Sequence, residues 1–339
     1  MRRKGRMLAV GVLLGSLACG GGGGGGSTGG ASPAPARTTI AVIPKGTSHV
    51  FWQSIHAGAA KAARELDVDI IWRGPIREDD RDSQVSEVEG FVSRGVSGIV
   101  LAPLDDTALV APVTSAMRAK IPVVIIDSGL KGGEYVSFVA TDNHKGGRLG
   151  GEQLAKILGG KGKVAMLRYE EGSASTNERE DGFLEAMKAQ PGIQVVSANQ
   201  YGGADVESAY KKSETLLSTY KRPDGSLGLD GIFTPNESTT FGMLRVLQDN
   251  GWAGKVRFVG FDASENLVKG LRGGQVDALV VQDPIKMGYL GVKTLAAHLK
   301  GQPVERRIDT GVQVATKENM DAPEMKDVLF PDLSKWLKP

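Results

Sequence analysis

The chain has one cysteine in 339 residues, Cys19, and that scarcity excludes an intramolecular disulfide. Its four histidines fall in no metal-ligand spacing, so metal-assisted hydrolysis has little material to work with. No G-x-x-x-x-G-K-[ST] phosphate loop occurs. The segment KGGRLGG, 145–151, lacks the order of a dinucleotide fingerprint and does not directly end a strand. No catalytic nucleophile, no cofactor and no metal are therefore expected, and the chain does not read as an enzyme. Long apolar runs are also missing: the one from Met7 to Leu14 is too short to stay in a bilayer as a span. Basic runs are absent after the first 18 residues. Removing those residues takes away four basic groups and no acidic ones, which leaves 37 Lys+Arg against 39 Asp+Glu, or about −2. A balance so near neutral argues against nucleic acid as a partner.

What is present begins with Arg2, Arg3, Lys4 and Arg6, then the apolar run, then small residues up to Ala18, the three-part layout of a secretory signal over 1–18. Cys19 follows, and behind it stand seven glycines, Gly20 to Gly26. A thiol beside a run that cannot pack serves some end other than the core. A signal that stops at cysteine resembles the bacterial lipoprotein signal, which implies that Cys19 becomes the lipidated first residue of the mature chain. Ser16 occupies the place where that signal usually has leucine. Residues 19–36, rich in Gly, Ser, Pro and Ala, read as a flexible tether. The expected location is the cell envelope, with membrane contact only through the lipid.

From Arg37 onward short β-branched runs alternate with longer amphipathic segments. TTIAVIP reads as a buried strand, and Phe51 to Leu66 as a helix with Ile55, Ala59, Ala62 and Leu66 on one face. DIIW, GIVLAP and PVVIID continue the series. YVSFVA, KVAMLR, IQVVSAN, GIFTP, VRFVGF and ALVVQ follow, with helices between most of them. Such alternation implies parallel sheets covered on both faces, because parallel strands need crossover connections. The fold class expected is α/β, two doubly wound parallel-sheet lobes: 37–141 plus 283–311, and 142–282 plus 312–339. Chain crossings near Thr141, Asp283 and Gly311 would form the hinge.

Ligands of doubly wound sheets collect beyond the carboxyl ends of the strands. The residues at those ends are polar: Lys45 and His49, Asp127 and Ser128, Asn236, Asp262, and Gln282. Short carboxylates and amides can bond a hydroxyl as donor and acceptor at once, and the neighbouring aromatics Phe51 and Trp52 offer faces to C–H patches. With Arg179 this is an inventory suited to a sugar or polyol. The run REDDRD, 77–82, reads as a solvated turn, and Asp142 and Asn143 as helix-cap residues.

In order and spacing, IAVIP…FWQSIHAGAAKAA, GIVLAPLD, IPVVIID, VATDNHKGGRLGGEQL, NERED-GF, IFTPNESTTFGML, VGFDAS and ALVVQDPIKMGYLGV resemble the ribose-type periplasmic sugar-binding proteins, the solute receptors of ABC importers. The resemblance runs from Arg37 to about Lys317. It implies the periplasmic-binding-protein fold of type I, a monomer, and an ABC importer permease as partner. Phe51 and Trp52 match the ring-sandwiching aromatics of that family, and Asp127, Arg179, Asn236, Asp262 and Gln282 its polar ligands. The chain departs from the pattern with Lys45 in place of a small polar residue, His49 in place of asparagine, and Ser128 in place of arginine. A third aromatic expected from the second lobe is replaced by Ala204 or a neighbour. Lys45 in the pocket would favour a ligand with an acidic or strongly polar group. Sugar-responsive transcription factors share this fold, but they need a helix-turn-helix where this chain has a signal and tether. The alternative is a same-fold receptor for a non-carbohydrate solute, or one that signals to a membrane sensor.

Overall fold

The computed structural model describes residues 37–337, so the signal, Cys19 and the tether lie outside the described residues. The first lobe opens with β1 (Thr39–Ile43), α1 (Val50–Leu66), β2 (Asp69–Trp72), α2 (Arg81–Arg94), β3 (Gly98–Leu101), α3 (Val110–Arg118), β4 (Val123–Ile126) and β5 (Ser137–Ala140). The chain then crosses at Thr141 into α4 (Asn143–Ile157), β6 (Lys161–Arg168), α5 (Ala174–Lys188), β7 (Gly192–Tyr201), α6 (Val206–Ser218), β8 (Gly231–Phe233), α7 (Glu237–Asp249), β9 (Arg257–Phe261), α8 (Glu265–Arg272) and β10 (Ala278–Gln282). A second crossing returns it to the first lobe as α9 (Pro284–Leu299) and β11 (Arg307–Asp309). The third sends it back as β12 (Val312–Thr316) and α10 (Pro323–Leu329).

Each lobe is built on a six-stranded sheet, in order β11-β5-β4-β3-β1-β2 and β12-β10-β9-β8-β6-β7. The pairings are parallel except β10 with β12, which are antiparallel because β12 enters its sheet from the crossing and not through a helix. Apolar side chains pack on both faces of both sheets, as the unbroken runs VVII and ALVV require. The crossings lie against one another: Thr141 Oγ1 is 3.3 Å from Thr310 Oγ1 and donates to the Gly311 carbonyl, while Arg307 donates to the Thr141 carbonyl. Three adjacent strands of chain joining two rigid sheets make a hinge.

The last turn, Leu333–Lys335, does not stay with the second lobe, where the sequence reading put all of 312–339. It sits on α1 of the first lobe, where Arg64 donates to the Lys335 and Trp336 carbonyls. The C-terminal segment thus also spans both lobes.

Candidate functional site

Two carboxylates define the centre of the cleft. Asp127 ends β4 with φ 61° and Asp262 ends β9 with φ 68°, both in the left-handed region that side chains other than glycine seldom enter. Backbone strain of this kind, of order 1–2 kcal/mol, persists where the surroundings fix it. Here the Asp127 N–H donates to the Val139 carbonyl and the Asp262 N–H to the Val280 carbonyl. The two lobes therefore present their aspartates in the same way, toward each other.

Arg179, from α5, lies between them, with guanidinium nitrogens 4.0 Å from Asp127 and 3.9 Å from Asp262. Its Nε donates to Asn143 Oδ1 at 2.9 Å, one terminal nitrogen donates to the Pro235 carbonyl at 3.0 Å, and its plane rests 4.0 Å over the Phe261 ring. Two of five N–H donors are thus used, and both aspartates stand beyond hydrogen-bond range. Gly147 of α4 makes this placement possible, since a Cβ there would overlap the Arg179 carbonyl oxygen. Asp142 caps α4 through Lys145, as expected, and Asn143 holds Arg179 instead of touching solvent.

The first lobe adds a wall of aromatic and charged groups. Phe51 and Trp52 meet edge to face with centroids 4.9 Å apart. Trp52 belongs to the core and to the cavity lining at once. Its Nε1 donates to Glu78 at 2.8 Å, His49 Nδ1 lies 2.5 Å from the same carboxylate, and the Tyr169 hydroxyl donates to its other oxygen at 2.9 Å. Glu78 is buried, which corrects the reading of 77–82 as a solvated turn: Arg77 and Asp79 do pair at the surface, but the residue between them turns inward. Burial opposes its charge, yet His49, Trp52 and Lys45 hold the carboxyl below its usual range. Burial likewise opposes the imidazolium of His49, and Glu78 outweighs it, raising His49 to about 9. The aromatic from the second lobe is Tyr169, which follows β6; Ala204 is buried outside the cavity lining.

The remaining polar residues divide. Gln282 donates from Nε2 to Asp262 at 2.7 Å, and its buried Oε1 has no hydrogen-bond partner. Asn236 caps α7, accepting from the Thr239 N–H and hydroxyl and donating to Ser238. Most of its bonding capacity is therefore spent on the helix. Ser128 is not in the cavity lining; its hydroxyl accepts from the Ser175 N–H of the other lobe. Lys45 reaches Ser173, Ser175 and Asp127. Sequence reasoning missed Glu237, the first residue of α7. Its carboxylate accepts the Phe51 N–H at 3.1 Å and so supplies, from the opposite lobe, the N-terminal cap that α1 lacks. Burial pushes Glu237 up to about 7.

Together these residues close around a small free volume of about 30 Å³ between the lobes, well below the usual size of a ligand pocket, so a ligand enters only as the lobes part. Three cationic side chains, Lys45, His49 and Arg179, face four carboxyls, Glu78, Asp127, Glu237 and Asp262. Burial raises both carboxyls of the second lobe, Glu237 to about 7 and Asp262 above its usual range.

A hinged pair of doubly wound lobes that encloses a small polar cavity at the strand ends is the architecture of a solute-binding protein. The chain belongs to the periplasmic binding protein domain family, whose model matches residues 40–303. It is 32% identical over 298 residues to the D-ribose/D-allose-binding protein of Pseudomonas aeruginosa, covering 85% of this chain and 90% of that one. It is 30% identical over 287 residues to the ribose import binding protein of Haemophilus influenzae, covering 85% and 94%. Among solved structures it matches an ABC transporter solute-binding protein from Agrobacterium vitis with bound D-fucose, at 39% identity and TM-score 0.82 over 86% of this chain and 100% of that one. A carbohydrate transporter solute-binding protein from Agrobacterium radiobacter in complex with D-arabinose matches at 32% identity and TM-score 0.82, over 87% and 100%.

Proposed function

We propose that this protein captures a neutral monosaccharide between its lobes and presents the closed form to an ABC importer permease. The observation that carries the reading is the set of bonding groups the protein leaves unused in the cavity. Gln282 Oε1 is a buried acceptor without a donor, and Arg179 keeps three N–H donors beside two carboxylates that it does not bond. A buried unpaired polar group costs about 1–3 kcal/mol, so a ligand that donates to one side and accepts from the other gains by filling the gap. Vicinal hydroxyls do both. Phe51 and Trp52 supply apolar faces for the ring.

Lys45 does not argue for a sugar acid, contrary to what it suggested in the sequence, because that ammonium already has two serine hydroxyls and a carboxylate of the protein beside it. The names of the relatives, which bind ribose, allose, fucose or arabinose, support the same class. In this reading the protein is a non-catalytic monomer. It is held in the cell envelope by lipid at Cys19, and among the described residues no helix is long and apolar enough to cross a membrane. Closure follows from ligand contacts with both lobes, since a ligand shifts an equilibrium only by its differential contacts.

The test is a thermal-shift screen of the purified protein against pentoses, hexoses, polyols and sugar acids. A ligand at about 100 times its Kd adds about 2.7 kcal/mol to stability. Stabilisation by neutral sugars and not by uronic or aldonic acids is expected. Stabilisation by the acids alone would refute the neutral-ligand reading.

A further inference from the structure

Lys45 sits where the cleft closes, with acceptors of both lobes around its ammonium. An ammonium has three N–H donors and no acceptor. In this structure Nζ has three acceptors around it: Ser173 Oγ and Ser175 Oγ, each at 3.0 Å, and Asp127 Oδ2 at 3.3 Å. The side chain is 3% exposed. Two of its three N–H groups are hydrogen-bonded to the opposite lobe, and Asp127 stands at ion-pair distance beside the third. Two of the three acceptors belong to the opposite lobe, at the start of α5, and the third is a carboxylate of its own lobe.

The place is otherwise unfavourable for a cation. A helix N-terminus carries positive partial charge, and Ser173, which occupies the N-cap position of α5, makes no side-chain bond to its own helix. Its hydroxyl accepts from Lys45 instead. The same edge of the second lobe is gripped beside Lys45 by Ser128, whose hydroxyl accepts the Ser175 N–H at 3.1 Å. Two further bonds reach it from the first lobe: the Asp106 N–H donates to the Gly172 carbonyl at 2.9 Å, and Arg81 donates to the Glu171 carbonyl at 2.9 Å. Segment 171–175 is thus a docking edge bonded by the first lobe with no ligand involved.

We propose that Lys45, seconded by Ser128, is a clasp between the lobes that sets the open–closed balance of the ligand-free protein, and is not a ligand contact. Both are positions at which the chain departs from the pattern it resembles: a cation stands at 45 and a small hydroxyl at 128. The clasp forms only when the cleft shuts. It is therefore a positioning device for the sugar site proposed above, and it lowers the closing cost that a ligand must otherwise meet.

The proposal can be tested without knowing the ligand, by small-angle scattering of the ligand-free protein. Lys45→Met should lower the closed-to-open ratio by roughly tenfold or more, as expected when bonds to a charged group are lost. The ligand-free profile becomes more extended. Ser173→Ala with Ser175→Ala should move it in the same direction while leaving Lys45 in place, which guards against a fold defect peculiar to the lysine variant. Combining all three changes should add little, because they remove one shared contact. A ligand-free profile unchanged from wild type in either variant, or fully additive effects, would overturn the clasp. Failure of every sugar in the screen would refute the proposed function and leave this ligand-free result standing.

Discussion

Replacing Glu78 with glutamine changes one oxygen for an NH2 group and removes the charge around which the cavity wall is organised. Three donors converge on that carboxylate: His49, Trp52 Nε1 and the Tyr169 hydroxyl. The rise of His49 from 6.5 to about 9 corresponds to about 3 kcal/mol of preference for the imidazolium in the folded protein. Because the folded value lies above the unfolded one, that contribution is fully present below pH 6.5 and is lost as pH rises through about 9. Glu78→Gln should therefore cost about 2–3 kcal/mol at pH 6, close to the range for bonds to charged groups, and clearly less at pH 10. For a protein of this size each kcal/mol shifts Tm by a few degrees. Differential scanning calorimetry of ligand-free wild type and variant at pH 6 and 10 reads the difference directly. A Tm loss that is equal at both pH values, or absent at pH 6, would refute the role assigned to the ion pair.

Further outcomes follow from the same geometry. Asp262→Asn keeps a side chain that tolerates the left-handed backbone and removes the charge facing Arg179, so titration calorimetry should show affinity weakened by about 1.5–3 kcal/mol with little change in fold; undiminished affinity would take Asp262 out of the ligand's reach. Gly147→Ala drives a methyl group into the Arg179 backbone and should destabilise by about 1–3 kcal/mol in chemical denaturation, whereas Gly90→Ala, whose added methyl meets nothing nearer than 3.9 Å, should not. Cys19→Ser should move the protein from washed membranes to the soluble fraction, and continued membrane association would rule out a lipid at Cys19.

Much of the fold was legible because buried parallel strands are written as unbroken apolar runs, and each was followed by a polar residue that the sheet ends bring together. Asp127, Asp262 and Gln282 were found in that way. The elements missed were β11, α8, β12 and α10: RID and the short helices are too brief to show a period, and VQVAT interrupts its apolar run with glutamine at the chain crossing. Glu78 was hidden inside a charged run whose other members are indeed at the surface, and nothing in REDDRD marks the one residue that turns inward. Glu237 was hidden by its place directly after a strand-end asparagine, where an acidic residue is ordinarily just first-turn helix chemistry. Its signal was available in another place: α1 begins with no acidic residue and no capping side chain, so the cap had to come from elsewhere. The roles of Lys45 and Ser128 could not be read at all, because adjacency across a closing cleft leaves no trace in local spacing.

A neutral monosaccharide between the lobes is the expectation on which the rest depends. Isothermal titration of the wild-type protein with D-ribose, D-allose, D-arabinose and D-fucose, alongside D-galacturonate as the charged control, tests this most directly. The expected result is one-to-one binding of at least one neutral sugar, abolished or sharply weakened in Arg179→Met, with no heat from the acid. Binding of the acid with none of the neutral sugars, or neutral-sugar binding that Arg179→Met leaves intact, would contradict it.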